Sequence, residues 1–122
     1  MSSHPLNLTL RFLLEITSLI SAGVWGYNQA DSWVRFLLAA TIPVFMAVLW
    51  GVFAVPDDPS RSGKTVIPTS GVMRLFLELG FFGFATWALI DLNYSFYGYA
   101  LGIVTIVHYL VSYDRIAWLI SK

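Results

Sequence analysis

The chain has 122 residues, with seven Lys and Arg against seven Asp and Glu, and no Cys. Charged residues make up 11% and hydrophobic ones 57%; a soluble domain carries about 25% charged residues, so these charges are too few to cover a water-soluble protein this small. The neutral balance removes the basic face that nucleic-acid binding needs, the missing thiols remove disulfides and thiolate metal sites, and His4 and His108 stand too far apart in sequence to form a His-rich metal site.

The predicted elements are all helices. A bilayer-spanning helix needs about 20 apolar residues, and four stretches supply them, at 7–27, 33–55, 71–90 and 94–113. The expected fold is all-α, a single transmembrane domain over residues 1–122 built as an integral membrane four-helix bundle. The first stretch follows a short polar tail and lacks a clean small-residue cleavage site, so it reads as a retained span. It carries Arg11 and Glu15, then a small-residue stripe of Ser18, Ala22 and Gly26 that predicts close helix packing. A polar turn at 28–32 leads into the second stretch, where Pro43 stands at a position that can kink a helix.

The one long loop, 56–70, holds Pro56, Pro59, Pro68, Gly63 and four charges, which is loop chemistry. Gly63-Lys64-Thr65 resembles the end of a phosphate-binding loop, but Asp58 stands where the first Gly is needed and Pro68 blocks a directly following helix. Thr69 and Ser70 are candidate caps for the third helix, which carries Arg74 and Glu78. After a turn at 91–93, the fourth stretch has a Gly98-x-x-x-Gly102 step for close packing, followed by Thr105, His108 and Ser112 on one polar face.

Lys and Arg set the orientation. Arg11, Arg61, Lys64, Arg74, Arg115 and Lys122 fall on the side of the termini and the long loop, and only Arg35 falls near the other. Both termini are therefore expected in the cytoplasm, with Trp25, Tyr27, Trp33, Trp87, Tyr94, Tyr97 and Tyr99 as an outer aromatic belt and Trp50 and Trp118 near the inner interface.

Arg11-Phe12-Leu13-Leu14-Glu15 recurs as Arg74-Leu75-Phe76-Leu77-Glu78, each copy opening a hairpin, which points to two hairpins related by an internal repeat. Only 12 uncharged residues separate Glu78 from Asp91, so the third helix must extend back past Glu78. At ~1.5 Å per residue this sets Glu78 roughly 10 Å inside a ~30 Å apolar core. Glu15 and His108 count to a similar level. Arg11 and Arg74 can snorkel outward or pair with the glutamate one turn on.

The stretches from Asn7 to Glu15, from Leu49 to Phe53 with Pro56, from Arg74 to Leu79, and His108-Tyr109-Leu110 with Tyr113-Asp114-Arg115 resemble the YrdB family of small bacterial membrane proteins. The resemblance runs over nearly the whole chain. It implies a multi-pass protein of the bacterial cell membrane and carries no catalytic residues and no cofactor.

Glu15, Glu78, His108, Arg11 and Arg74 are the candidate site residues, because ionisable groups inside a membrane are costly and face protein or water. One reading is a non-enzymatic accessory or interaction protein in which Arg–Glu pairs lock the hairpins, its partners being the lipid bilayer and a second copy or another membrane protein. The alternative is a small proton-coupled transporter or exporter using Glu15 and Glu78. A third, a lipid-modifying enzyme, would need a cleft built from His108, Tyr109, Tyr113 and Asp114. On either main reading Glu15, Glu78 and His108 should face the bundle interior.

Overall fold

The computed structural model describes residues 5–56 and 67–122. Among these residues there are five helices: α1 (Pro5–Tyr27), α2 (Val34–Val52), α3 (Gly71–Asp91), α4 (Ser95–Val111) and α5 (Tyr113–Ile120). Helices α1, α2 and α3 are each long and apolar enough to cross a membrane. α4 and α5 meet that test only as a pair, and they are bent by 72° from one another.

Two of the four predicted stretches end earlier than expected. The second stops at Val52, and Phe53–Ala54 form β1, which pairs in parallel with β2 at Ile67–Pro68. The residue before a proline is driven away from helical ψ, so Val55 ahead of Pro56 favours an exit here. The predicted fourth span breaks at Ser112 (φ −97°, ψ 33°), and the chain turns into α5. Ser112 is fully buried, and its hydroxyl accepts from Asn7 Nδ2 at 2.6 Å, so a tertiary contact accompanies the break. The loop charges Asp57, Asp58, Arg61 and Lys64, Gly63-Lys64-Thr65 and His4 lie outside the described residues.

The two expected hairpins are present. α1 packs along α2, α3 along α4, and the pairs join through α1 and α3. α1 and α3 run parallel: Arg11 lies beside Glu78 at one end, and Trp25 meets Phe84, Trp87 and Asp91 at the other. α2 stands at the edge and buries Met46 against the rest. The core comprises Leu14, Ala22, Met46, Phe81, Phe82, Ala85, Leu89, Leu101 and Tyr109.

Small residues set the helix spacings. A Cβ on Gly26 would stand 2.8 Å from the Leu38 carbonyl oxygen, so α1 and α2 touch backbone to backbone there. One turn earlier, Gly23 approaches the carbonyl of Ala39. That carbonyl belongs to the residue four before Pro43, which has no N–H to bond it, and α2 nonetheless continues through Pro43 as one helix. Gly98 and Gly102 seat Thr86 and Ile90 of α3, so the Gly-x-x-x-Gly step acts within the chain.

The caps follow local chemistry. Ser70, in extended conformation, accepts from the Met73 N–H at 3.3 Å and starts α3, which fulfils the predicted cap. α3 ends with Asn93 in the left-handed region (φ 66°), its N–H on the Ile90 carbonyl and that of Tyr94 on Leu89. This is the Schellman arrangement, for which Asn is the usual substitute for Gly.

Candidate functional site

Four helices converge on one carboxylate. Glu78 lies four residues after Arg74 in α3, and its side chain is fully buried. Its Oε2 accepts from Arg74 Nε at 2.9 Å and from Arg115 Nη2 at 2.6 Å. Its Oε1 accepts from the Tyr109 hydroxyl at 2.7 Å and faces Arg11 Nη2 at 3.0 Å. These partners come from α3, α5, α4 and α1. α2 joins through Arg74, whose Nη1 donates to the carbonyls of Trp50 at 2.6 Å and Phe53 at 2.7 Å. The last carbonyls of a helix lack partners within it and carry its negative dipole end, so the guanidinium meets both needs.

Trp50 completes the arrangement. The guanidinium carbons of Arg11 and Arg74 lie 5.0 and 4.3 Å from the centre of its ring system, within cation–π reach. Its ring also packs on Phe81 and Phe82. The tryptophan expected as an interface anchor is thus half-buried beside the charges. Arg11 and Arg74, at 4% and 2% exposure, turn inward, and neither snorkels.

The two glutamates, equivalent in the sequence repeat, differ in structure. Glu15 has Arg11 at 3.6 Å, its side chain is 23% exposed, and Arg11 lies nearer to Glu78. The expected pairing of each glutamate with the arginine one turn before it is present in both copies, loosely at Glu15 and closely at Glu78, where Arg11 and Arg115 join Arg74. A carboxylate offers about four acceptor positions. Among the described residues, three donors bond Glu78 and the Arg11 guanidinium stands against it, whereas Glu15 keeps most of its positions open.

His108 is buried, as expected, but its partner is not a glutamate. Its Nδ1 lies 3.0 Å from Asn7 Oδ1, and Asn7 Nδ2 donates to Ser112. With Asn7 Nδ2 donating to Ser112, its Oδ1 is left to accept from the His108 Nδ1–H. Asn7, His108 and Ser112 thus form a second polar link, from α1 to the α4–α5 break. Thr105, on the same face of α4, is buried too.

The residues of the expected lipid-enzyme cleft have different surroundings. Tyr109 is on Glu78 and His108 on Asn7, while Tyr113 is 70% exposed and Asp114 is exposed. Among the described residues, no group of three His, Asp or Glu is placed to hold a metal.

Sequence reasoning missed Arg115, Tyr109 and Asn7 as members of these clusters. Arg115 reads as one more cytoplasmic charge if the fourth helix is straight; the 72° bend brings it under the bundle. The available signal was the Arg115–Leu119 spacing, which places both buried residues on one face of α5.

Residues 9–106 match the family described as Protein of unknown function (DUF2568). The chain is also 43% identical over 120 residues to the Uncharacterized protein YrdB of Bacillus subtilis (strain 168), an alignment that covers 95% of this chain and 94% of that one. No solved structure matches. The family match includes Arg11, Glu15, Arg74 and Glu78 and ends before His108, Tyr109 and Arg115.

Proposed function

We propose that this chain, which belongs to the DUF2568 family and so stands beside YrdB, is a non-enzymatic integral membrane protein with an accessory or interaction role. Its buried Arg–Glu cluster is a structural lock. α1, α2 and α3 cross the bilayer as spans, α4 as a shorter fourth, and both termini face the cytoplasm by the distribution of Lys and Arg.

The observation that carries the reading is the occupancy of Glu78, whose oxygens face three guanidiniums and a tyrosine hydroxyl. A carboxylate that exchanges a proton for a cationic substrate needs free acceptor positions and a path to solvent; Glu78 is fully buried. It instead binds four helices together. Removing one partner from such a cluster strands buried charge.

The transporter reading rests on Glu15 alone, which is 23% exposed and has open acceptor positions among the described residues. Proton release separates the two. Adding a panel of lipophilic cations to detergent-solubilised protein, with a pH-indicator dye in weak buffer, is expected to release no protons. A saturable release that disappears in Glu15→Gln would replace the structural reading by the transporter one.

A further inference from the structure

We propose that α5 is an interfacial helix that lies along the membrane surface, with the lipid headgroup–acyl boundary as the partner of its outer apolar stripe. The inference rests on the membrane reading above and adds what α5 touches. If α4 runs across the bilayer, the 72° bend after it sends α5 close to the membrane plane.

At 3.6 residues per turn, α5 and the residue after it present three sectors, with the half-buried Ile116 and Trp118 at the two edges of the first. Arg115 and Leu119 form the first, buried against the bundle. Tyr113, Ala117 and Ile120 form the second, apolar and exposed, with Tyr113 at 70% and Ile120 at 60%. Asp114 and Ser121 form the third, polar and exposed. A helix that continued the span would have no use for the third sector, and a helix free in water would have none for the second. A helix docked on its bundle at a bilayer surface uses all three.

The docking is specific. Gly71, the first residue of α3, packs so closely on the Leu119 carbonyl that any Cβ there would overlap it. Arg115 reaches from the same face to Glu78. These contacts fix the roll of α5, and with it the direction of the apolar stripe. Ile103, Ile106 and Leu110 of α4 are exposed and apolar as well. Lys122 follows the helix, exposed and with its amine 5.5 Å from the Trp118 ring centre.

The chain has no cysteine, so single-cysteine variants can be spin-labelled in the otherwise intact protein. Labels would be placed at Tyr113→Cys, Ala117→Cys, Ile120→Cys, Asp114→Cys and Ser121→Cys, with Ile103→Cys and Ile106→Cys in α4 as references. In phosphatidylethanolamine–phosphatidylglycerol vesicles, relaxation by oxygen should exceed that by a water-soluble nickel chelate at Tyr113, Ala117 and Ile120. The order should reverse at Asp114 and Ser121. If all five α5 labels favour the nickel chelate while the references favour oxygen, α5 stands in water and this proposal fails alone. If all five favour oxygen, α5 continues the span, and the proposal fails. Shielding of Tyr113, Ala117 and Ile120 from both reagents would mean that a protein covers the stripe, which overturns it too. References that favour the nickel chelate would sink the membrane reading itself.

Discussion

At the residue scale the central asymmetry is between two glutamates in equivalent sequence contexts. Glu78→Gln keeps the shape of the side chain but removes the charge that three guanidiniums share. Breaking a buried pair from one side costs about 3–5 kcal/mol, so thermal unfolding in detergent should shift down by a corresponding large step. Glu15→Gln removes one partly exposed contact at 3.6 Å, and pairs of that kind are worth about 1 kcal/mol or less. Equal losses for the two variants would mean that Glu15 has a partner absent from this arrangement. Tyr109→Phe removes a 2.7 Å hydrogen bond to the carboxylate; hydrogen bonds to charged groups contribute about 1.5–3 kcal/mol, which sets its expected loss between the other two. The sequence made Arg11, Glu15, Arg74 and Glu78 legible through the repeated Arg-x-x-x-Glu spacing. It could not rank the glutamates, because rank depends on which side chains arrive from other helices.

At the element scale, glycines divide into those that set a helix contact and those that do not. Gly26→Ala would press a methyl against the Leu38 carbonyl, and Gly71→Ala one against that of Leu119. Neither backbone can yield without moving its helix, and overpacking costs about 1–3 kcal/mol. Among the described residues, no neighbour stands within 4 Å of where a methyl on Gly83 would sit, and replacing a helical glycine by alanine stabilises by about 0.5–1 kcal/mol. Melting temperatures should therefore fall for Gly26→Ala and Gly71→Ala and hold or rise for Gly83→Ala; a uniform fall would contradict this packing. Helix positions α1 to α3 were readable from apolar run length alone, to within about one turn at each end. The predicted end of the fourth stretch at 113 lies two residues past the end of α4 at Val111; the turn into α5 was not readable, because no glycine or proline marks it, and a buried hydroxyl bonded to Asn7, 105 residues away in sequence, is visible only once the helices are packed.

At the scale of the whole molecule, the parallel course of α1 and α3 gives the chain a charged end and an aromatic end. The proposed topology sets the charged end toward the cytoplasm. Gln29→Cys and Ser95→Cys, at the aromatic end in the α1–α2 turn and the first turn of α4, should react with a membrane-impermeant maleimide in intact cells. Lys122→Cys should react only after permeabilisation. The reverse pattern would invert the protein, and labelling of all three in intact cells would contradict the four-span topology. The repeat read in the sequence corresponds to two hairpins with the same course, but their charged residues have diverged in role: one hairpin holds the hub, and the other donates Arg11 to it.

The most direct test of Glu78 as the structural hub is a double-mutant cycle with Arg115, which reaches it from α5. Thermal or denaturant unfolding in detergent would compare the parent, Glu78→Gln, Arg115→Met and the double variant. With Glu78 neutral, Arg115 loses this anion, so removing it as well should cost less than it does in the parent, and the double loss should fall below the sum of the single losses. Losses that add to within about 0.5 kcal/mol, as independent sites do, would contradict the claim that Glu78 and Arg115 form one buried unit.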